Sequence, residues 1–337
     1  MKKPTISICI PTYNRADYLD QTLQSVIKQT VKPFEVLVID NASTDNTPDI
    51  IKKYRKFGIS FIQNSKNLGM IGNLNKCLLL AKGKFVSILP SDDLILPTWY
   101  EQWEKIITQN KASVYTCSLV VVDSNGQSLF VGRTFSKNHL IQQPTVMEKF
   151  YCHYSPLLPP TAAVVYRKDI FQDLGHFDPT LSTEADVEIS LKIMSKYDIY
   201  YLDKILFAHR WHETQSYDQV EQKKTEENDL RRLDNYFHIL SDYYQKHIKD
   251  QPIDRLFLTS HISMTLGSVN LYLFLGKYKK VFGTYKIINH YFPGVWWHNF
   301  DWLFFLKTQL LFIKRALFGK ILNKKDFKEI KLLTSLY

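Results

Sequence analysis

The first ninety residues alternate between short apolar runs and helical repeats, and this alternation is the strongest constraint on the fold. Four apolar runs have the length of buried strands: residues 6–10, 35–40, 59–62 and 85–89. Helical patterns separate them: residues 16–29, a segment from Thr47 onward, and residues 72–81. Strands and helices that alternate in this way predict a Rossmann-like α/β fold, with a mostly parallel sheet, right-handed crossovers and helices on both faces.

The remainder of the chain is mixed and then helical. The predicted elements are strands over 113–122 and 161–166, a hairpin turn at Asn125-Gly126, a helix over 184–196, and two short strands over 200–202 and 206–211. From residue 219 onward helical patterns dominate. We therefore predict an α/β domain over residues 1–215 and a helical C-terminal region over residues 216–337.

The positive charge of the chain is concentrated in its C-terminal region. The net charge is +10, but residues 276–337 hold 12 Lys or Arg against 3 Asp or Glu, whereas residues 1–275 hold 31 against 30. A nucleic-acid-binding protein would have a basic main fold, so we expect no nucleic-acid partner. A basic region rich in aromatic residues is more typical of binding to an anionic membrane surface.

Residues 301–322 lie in this basic region and are mostly apolar. Charged residues such as Lys314 and Arg315 interrupt them, and a membrane-spanning helix needs about 20 mostly uncharged residues. The segment is therefore either a helix in the membrane interface or a helix packed on the globular core. Tryptophans cluster at its start, which favours a basic amphipathic membrane-associating segment near residues 295–322.

The four cysteines are far apart and form no C-x-x-C pair. Such isolated cysteines are typical of reduced thiols in a cytosolic protein. The first residues hold no apolar stretch long enough for a secretion signal. We expect a cytoplasmic protein that is peripherally associated with the inner face of the cell membrane.

Acidic residues stand at the ends of predicted strands and at the start of one helix. Asp40 ends the second strand, Asp92 and Asp93 follow the fourth, and Asp186 and Glu188 open the helix over 184–196. Ligands bind at the carboxyl ends of the strands in an open α/β sheet. Carboxylates placed there can hold a ribose, a divalent metal and a reacting hydroxyl, which transfer from a nucleotide-activated donor requires.

The loop over residues 11–15 joins the first strand to the first helix. Backbone amides at a helix start favour an anionic group, Tyr13 can cover a base, and Arg15 can approach a phosphate. Taken alone, the loop could also be an ordinary strand-to-helix turn. No Gly-x-Gly-x-x-Gly pattern follows the first strand, which disfavours a dinucleotide-binding domain.

Four segments together resemble the family 2 glycosyltransferases with the GT-A fold: Pro11–Arg15, Asp40–Thr47, Asn67-Leu68-Gly69 and Leu89–Asp93. The resemblance covers residues 1–215. It implies a nucleotide-sugar donor of the UDP, dTDP or GDP type, a divalent metal, Mn²⁺ or Mg²⁺, and an inverting displacement. A looser similarity to abequosyl and rhamnosyl transferases implies a polyprenyl-linked or membrane glycan acceptor in surface polysaccharide synthesis, such as LPS O-antigen or capsule.

The resemblance also assigns roles to single residues. The nucleotide would be bound by Pro11, Thr12, Tyr13, Arg15, Asp40, Asn67 and Asp92, with Asp92 at the ribose. Asp93 would bind the metal, which prefers oxygen ligands and often takes few from the protein. Pro90 stands where the family often has a further Asp, so fewer carboxylates remain for the metal.

Asp186 stands where the family has its catalytic base, the group that takes the acceptor's hydroxyl proton. The family usually has Glu-Asp there, whereas this chain has Ala185-Asp186, with Glu188 as a candidate supporting acid. From the residues alone, both acids could equally be first-turn residues that complement the helix dipole. Further along, Arg210 and His212 belong to a run that resembles the family and are candidates to contact the diphosphate or the metal.

Two other functions remain compatible with these residues. A sugar nucleotidyltransferase would use a similar sheet and similar acids, but the first loop lacks a Gly-rich phosphate cradle. A non-catalytic nucleotide-sugar-binding membrane scaffold would account for Pro90 and Ala185 in place of acids.

Overall fold

The structure is a computed structural model of the chain and describes residues 4–142, 163–181, 184–212, 226–247, 249, 262 and 278–294. These residues belong to two compact units. The described residues up to 212 form the first unit, and those from 226 onward belong to the second. The predicted boundary between residues 215 and 216 falls outside the described ranges and stays a prediction.

A ten-stranded sheet forms the centre of the first unit. Its strands are β1 (Ile6–Thr12), β2 (Glu35–Asp40), β3 (Ser60–Gln63), β4 (Phe85–Ile88), β5 (Leu94–Ile95), β6 (Val114–Val122), β7 (Ser128–Gly132), β8 (His139–Ile141), β9 (Val164–Arg167) and β10 (Ile199–Arg210). The order across the sheet is β3-β2-β1-β4-β9-β6-β10-β5, and β7 pairs with β6 while β8 pairs with β10.

The first four strands form the parallel half of the sheet. In the other half, β9 runs antiparallel between β4 and β6, whereas β10 runs parallel to β6. Asn125-Gly126 lies in the turn between the antiparallel strands β6 and β7, as predicted. Gly126 has φ of 83° there, a left-handed conformation that glycine adopts readily.

The two short strands predicted over 200–202 and 206–211 are one strand, β10, and that prediction was wrong. Its pairing with β6 shifts register between Leu202 and Ile205 and again between Ile205 and Phe207. The polar pair Asp203-Lys204 suggested a break in the sequence pattern. In the structure Asp203 is buried and pairs with Arg133, so an irregular strand can continue through it.

Eight helices are described: α1 (Ala16–Ile27), α2 (Thr47–Tyr54), α3 (Gly69–Leu80), α4 (Trp99–Gln109), α5 (Ile170–Leu174), α6 (Ala185–Lys196), α7 (Glu226–His247) and α8 (Tyr278–Tyr291). Alternate residues of β1 face opposite sides of the sheet. Ile8 joins the core cluster that contains Leu19 and Leu23 of α1, whereas Cys9 contacts the Cys77 carbonyl of α3. Helices therefore cover both faces, as predicted.

Aromatic residues of α4 fill much of the main core. Trp99 and Trp103 are almost fully buried, and the Trp103 ring meets Tyr115 of β6 edge-on at 6.2 Å. Replacing such a buried tryptophan by alanine typically costs about 3–5 kcal/mol. This packing fixes the sheet from which the loops of the candidate site extend.

The described part of the second unit consists mainly of α7 and α8. The Phe292 ring, just after α8, contacts Phe237 and Tyr244 of α7 at 6.3 Å and 5.5 Å. A Cβ on Gly283 would lie 2.6 Å from Leu230, so the two helices approach closely only because residue 283 has no side chain.

Within the described ranges, no helix is long and apolar enough to cross a membrane. The predicted membrane-associating segment near residues 295–322 lies outside those ranges, and its binding to membrane stays a prediction.

Candidate active site

The candidate site lies where β1, β2 and β4 end. β1 is the strand at which the sheet order reverses, with β2 and β3 on one side and β4 on the other. Thr12 pairs in register with Asp40 across the ends of β1 and β2, and Asp92 follows β4. Such a reversal opens a crevice that holds ligands in open α/β sheets.

The loops after β1 and β2 are joined to each other by hydrogen bonds. The Asn14 N–H donates to Ser43 Oγ (2.9 Å), and the Thr44 N–H donates to Asn14 Oδ1 (2.8 Å). Asn14 and Ala42 have positive φ angles of 49° and 63°, which non-glycine residues seldom adopt and which cluster at functional sites. These interlocked loops leave Tyr13 38% exposed, as a residue that covers a base requires.

Asp40 is fully buried beneath these loops. Its Oδ1 accepts hydrogen bonds from the N–H and the hydroxyl of Ser43, and its Oδ2 accepts one from Gln63 Nε2 at 3.0 Å. The neighbouring Thr12 Oγ1 is buried and has no hydrogen-bond partner among the described residues. The base-pocket roles of Pro11, Thr12, Tyr13 and Asp40 stay predictions.

Behind Asp40, four asparagines form a network that the sequence reasoning missed except for Asn67. Asn41 Nδ2 donates to Asn67 Oδ1 at 2.7 Å, and Asn64 Nδ2 donates to Asn41 Oδ1 at 2.9 Å. Asn73 accepts from Asn64 and donates to the Ile39 carbonyl. Asn67 is therefore tied to the end of β2, while its contact with a nucleotide stays a prediction. The repeated asparagines near strand ends were the available sequence signal.

Asp92 lies beside Arg15 and His212, which the sequence predicts to contact a phosphate and to contact the diphosphate or the metal, respectively. Its Oδ2 is 3.5 Å from Arg15 Nε and 3.2 Å from His212 Nε2. Arg15 and His212 are buried, whereas the Asp92 side chain is 13% exposed. Burial raises the pKa of Asp92, but the hydrogen bond from His212 and the charge of Arg15 outweigh it, so the pKa lies below its ordinary value. Asp92 is therefore an anion that reaches solvent beside an imidazole nitrogen.

Asp93 is directed into the protein, in contrast to Asp92. Its carboxylate is 1% exposed, and its Oδ1 accepts from the Arg210 backbone N–H at 2.8 Å and from His209 Nδ1 at 3.2 Å. Burial raises the pKa of Asp93 above its ordinary value, despite the opposing hydrogen bond from His209. The carboxylate joins the loop between β4 and β5, residues 89–93 and hereafter the acidic loop, to β10. Its predicted contact with a metal stays a prediction, and this geometry does not favour it.

The Arg210 guanidinium lies beneath the acidic loop and is fully buried. It donates to the Asp92 carbonyl from Nε (2.9 Å), to Gln21 Oε1 from Nη2 (2.6 Å) and to the Ser124 carbonyl from Nη1 (3.3 Å). Its Cζ is 5.0 Å from the centre of the Tyr18 ring. These contacts give Arg210 a role in holding the loop, and its predicted contact with a diphosphate stays a prediction.

His209 makes folding stability depend on pH. Burial lowers its pKa, but the hydrogen bond and charge of Asp93 outweigh it, so the pKa of His209 is raised above 6.5. A raised pKa contributes stability that is complete below about 6.5 and is lost as pH rises through the folded-state value. We expect the free-energy difference of unfolding between wild type and His209→Gln to be largest below about pH 6.5 and to shrink as pH rises through the folded-state pKa of His209. Urea unfolding in EDTA measures it, and a constant difference would contradict this explanation.

Asp186 lies in the first turn of α6 and is exposed. The segment before α6 is held to α3, because Asn75 Nδ2 donates to the Phe177 carbonyl (2.8 Å) and the Phe177 N–H donates to Asn75 Oδ1 (3.0 Å). Burial chiefly, and then the charge of Asp186, raises the pKa of Tyr166 on β9. The base role of Asp186 stays a prediction.

Glu188 forms an ion pair with Lys192 one turn further along α6. Its other oxygen, Oε2, is buried and has no hydrogen-bond partner within the described ranges. The ion pair suits an acid that stabilises the helix. The supporting role in catalysis that the resemblance suggested for Glu188 stays a prediction.

Sequence comparison identifies the family. The model of the family Glycosyl transferase family 2 matches residues 7–175, half of the chain. The chain belongs to glycosyltransferase family 2. It is 33% identical to the uncharacterized glycosyltransferase MJ1057 of Methanocaldococcus jannaschii, over 44% of this chain and 57% of that protein. It is 38% identical to the putative teichuronic acid biosynthesis glycosyltransferase TuaG of Bacillus subtilis, over 27% and 37% of the two chains. The matches span less than two thirds of these relatives.

The fold is similar to that of a solved crystal structure. The crystal structure of S. aureus TarS 1–349 in complex with UDP-GlcNAc matches with a TM-score of 0.68 and 22% sequence identity, over 98% of this chain and 90% of that chain. At this identity the likeness shows the fold, and it confirms the predicted GT-A fold.

Proposed function

We propose that the protein is an inverting, metal-dependent glycosyltransferase that moves a sugar from a nucleotide-sugar donor to a glycan or lipid-linked acceptor. The observation that carries the proposal is the arrangement of Asp92, Arg15 and His212 beyond the end of β4 in a chain of this family. An anionic carboxylate with a guanidinium at 3.5 Å and an imidazole at 3.2 Å suits a diphosphate and its metal.

The nucleotide would lie along the ends of β1 and β2. The exposed ring of Tyr13 would cover the base, and the buried Thr12 Oγ1 would offer a hydrogen bond to its edge. Asp40 would line the pocket from beneath and hold the loop through Ser43. Arg15 would approach a phosphate, and Asn67 would fix the nearby loop. The donor would be of the UDP, dTDP or GDP type, and the UDP-GlcNAc complex of TarS supports the first of these.

The residues that would hold the metal are Asp92 and His212. The described residues contain no group of three or more His, Cys, Asp and Glu side chains placed to bind a metal. However, Asp92 Oδ2 and His212 Nε2 lie 3.2 Å apart and could bind one metal ion together. One oxygen ligand and one nitrogen ligand suit Mn²⁺, or Mg²⁺ if the substrate phosphates supply most of the ligands. A metal bound there would neutralise the leaving diphosphate. We assign it to this pair rather than to Asp93, because Asp93 Oδ1 already accepts hydrogen bonds from the Arg210 N–H and from His209 Nδ1.

Transfer would proceed by direct displacement. The acceptor hydroxyl oxygen forms a bond to C1 of the sugar from the face opposite the diphosphate. The bond from C1 to the diphosphate oxygen breaks, and its electron pair leaves with the diphosphate. Asp186 takes the hydroxyl proton as general base. The product is therefore inverted at C1.

The acceptor would be a polyprenyl-linked or membrane glycan in surface polysaccharide synthesis, such as LPS O-antigen or capsule. TuaG, named for teichuronic acid biosynthesis, supports a cell-surface product. The basic residues 276–337 would bind the anionic inner face of the cell membrane from the cytoplasm. The enzyme would then meet its acceptor at that surface.

Thermal unfolding with UDP, GDP, dTDP and CDP, each with and without Mn²⁺, tests the donor site. A ligand that binds only the folded state stabilises it by about 2.7 kcal/mol at a hundred times its Kd. We expect one nucleotide to raise the Tm in a Mn²⁺-dependent way. The same nucleoside without phosphates is the control, because it lacks the phosphate oxygens that would bind the metal. A folded protein whose Tm none of the four nucleotides changes would refute the proposed donor site.

A further inference from the structure

One face of α1 contacts the acidic loop and the end of β10. Tyr18, Gln21 and Thr22 are spaced three and four residues apart, so their side chains share that face. Thr22 Oγ1 lies 3.0 Å from the Ser91 carbonyl and 2.9 Å from the Asp93 carbonyl. Gln21 accepts a hydrogen bond from the Arg210 guanidinium. The helix therefore holds the backbone that carries Asp92 and Asp93.

The Tyr18 ring contacts Arg210, at the end of β10, and His212, two residues later, and both of these residues bind Asp92. The centre of its ring is 4.4 Å from that of the His212 imidazole, with the planes inclined by 30°. The same ring is 5.0 Å from Arg210 Cζ. His212 directs Nε2 to the Asp92 carboxylate, while Arg210 binds the Asp92 carbonyl. A single aromatic ring thus touches two of the groups that orient Asp92.

We propose that Tyr18 is a positioning residue, whose ring holds the His212 imidazole so that Nε2 and Asp92 Oδ2 can bind the same metal ion. This inference rests on the proposed function, because it takes Asp92 and His212 as the metal-binding pair. The orientation of a ligating imidazole is normally set by a hydrogen bond from its other ring nitrogen, and loss of such a bond typically costs 10–100-fold in metal affinity. The Tyr18 ring, which lies against the imidazole, would restrict the same rotation. Contact with the Arg210 cation adds attraction to the same ring.

The ring of Tyr18 is separate from the residues by which α1 packs in the core. Leu19, Leu23 and Val26 are buried and belong to the main core cluster, whereas Tyr18 is only half-buried. Removal of the Tyr18 ring should therefore leave the helix in place. Its effect should fall on the imidazole and on the affinity for metal.

Electron paramagnetic resonance of free Mn²⁺ tests this inference on the full chain. Mn²⁺ is titrated in the presence of whichever of UDP, GDP, dTDP or CDP gives the largest stabilisation. We expect Tyr18→Leu and Tyr18→Met to raise the Kd for Mn²⁺ by about 10–100-fold. Tyr18→Phe, which keeps the ring, should restore the affinity to within about twofold of wild type.

Tyr54→Leu is the matched control, because Tyr54 also contacts α1 but away from the acidic loop. Its hydroxyl donates to Asp20 Oδ1 at 2.8 Å. We expect Tyr54→Leu to lower the Tm while the Kd for Mn²⁺ stays unchanged. An equal loss of Mn²⁺ affinity in Tyr54→Leu and Tyr18→Leu would show a general effect of α1 and overturn the inference.

Two further results would overturn the role of the Tyr18 ring. One is wild-type Mn²⁺ affinity in folded Tyr18→Leu and Tyr18→Met. The other is a loss in Tyr18→Phe as large as in Tyr18→Leu, which would transfer the effect to the hydroxyl. If wild type itself binds no Mn²⁺ with any of the four nucleotides, the proposed metal site fails, and the inference fails with it. Mn²⁺ binding by wild type therefore distinguishes failure of the proposed metal site from failure of the Tyr18 inference alone.

Discussion

Replacement of Asp186 by Asn is expected to reduce sugar transfer by about 10²–10⁴-fold, the usual contribution of a general base. Asparagine has nearly the same shape as aspartate but cannot take the acceptor's proton. Asp186 is exposed in the first turn of α6, so the change should have little effect on folding. We expect the nucleotide affinity to stay close to that of wild type, because the residues proposed to bind the nucleotide lie on other loops. The rate of sugar transfer measures the first effect, and calorimetric titration with the nucleotide measures the affinity.

Glu188→Gln is the matched control for Asp186→Asn. Glu188 lies in the same first turn, and its charge is paired with Lys192. We expect this variant to lose some stability and to keep most of its transfer rate. Full activity in Asp186→Asn would remove Asp186 from the mechanism. Complete loss in Glu188→Gln with an active Asp186→Asn would move the base to Glu188.

Replacement of Asp92 by Asn is expected to remove the Mn²⁺-dependent part of nucleotide binding. The variant loses the anionic oxygen that lies 3.2 Å from His212 Nε2, and the proposed metal site would keep one protein ligand. We expect the nucleotide affinity in Mn²⁺ to fall by at least about 10–100-fold, the loss typical even of outer contacts of a metal site. In EDTA the difference between wild type and variant should be smaller, because only the predicted contact of Asp92 with the ribose is then affected. Calorimetric titrations in Mn²⁺ and in EDTA make the comparison.

Asp93→Asn distinguishes the two neighbouring carboxylates. Asp93 accepts from the Arg210 backbone and from His209, so we expect a lower Tm but a nucleotide affinity that still increases with Mn²⁺. The opposite result would move the metal site. If Asp93→Asn abolishes the effect of Mn²⁺ on nucleotide affinity and Asp92→Asn keeps it, the metal is bound by Asp93, as the resemblance alone implied.

The architecture of the first unit could be predicted because each local pattern agreed with the same fold. The strand–helix alternation of the first ninety residues predicted β1 to β4 and the helices between them to within a few residues. The prediction failed at β10, where a buried Asp203 looked like a break in the strand. Its partner, Arg133, lies 70 residues away in sequence, and no local pattern reports that ion pair.

The candidate site was predictable in its position but not in its detail. Strand ends predicted where the acids gather, yet Asp92 and Asp93 are adjacent in sequence and lie in opposite environments. What separates them is β10, whose His209 and Arg210 reach Asp93 from 116 and 117 residues away. The helical periodicity of α1 likewise identified only its apolar residues. It did not indicate the role of Tyr18 or of the polar face on which that ring lies.

The most direct test of the central claim is a transfer reaction with the full chain, Mn²⁺ and a radiolabelled nucleotide sugar that carries the preferred base. A membrane extract of the source cells supplies the acceptor. We predict release of nucleoside diphosphate in step with incorporation of labelled sugar into glycan or lipid, with both lost in EDTA and in Asp186→Asn. A donor that binds but yields neither product would indicate a non-catalytic scaffold. Release of pyrophosphate from a nucleoside triphosphate would indicate a nucleotidyltransferase, and either result would contradict the account.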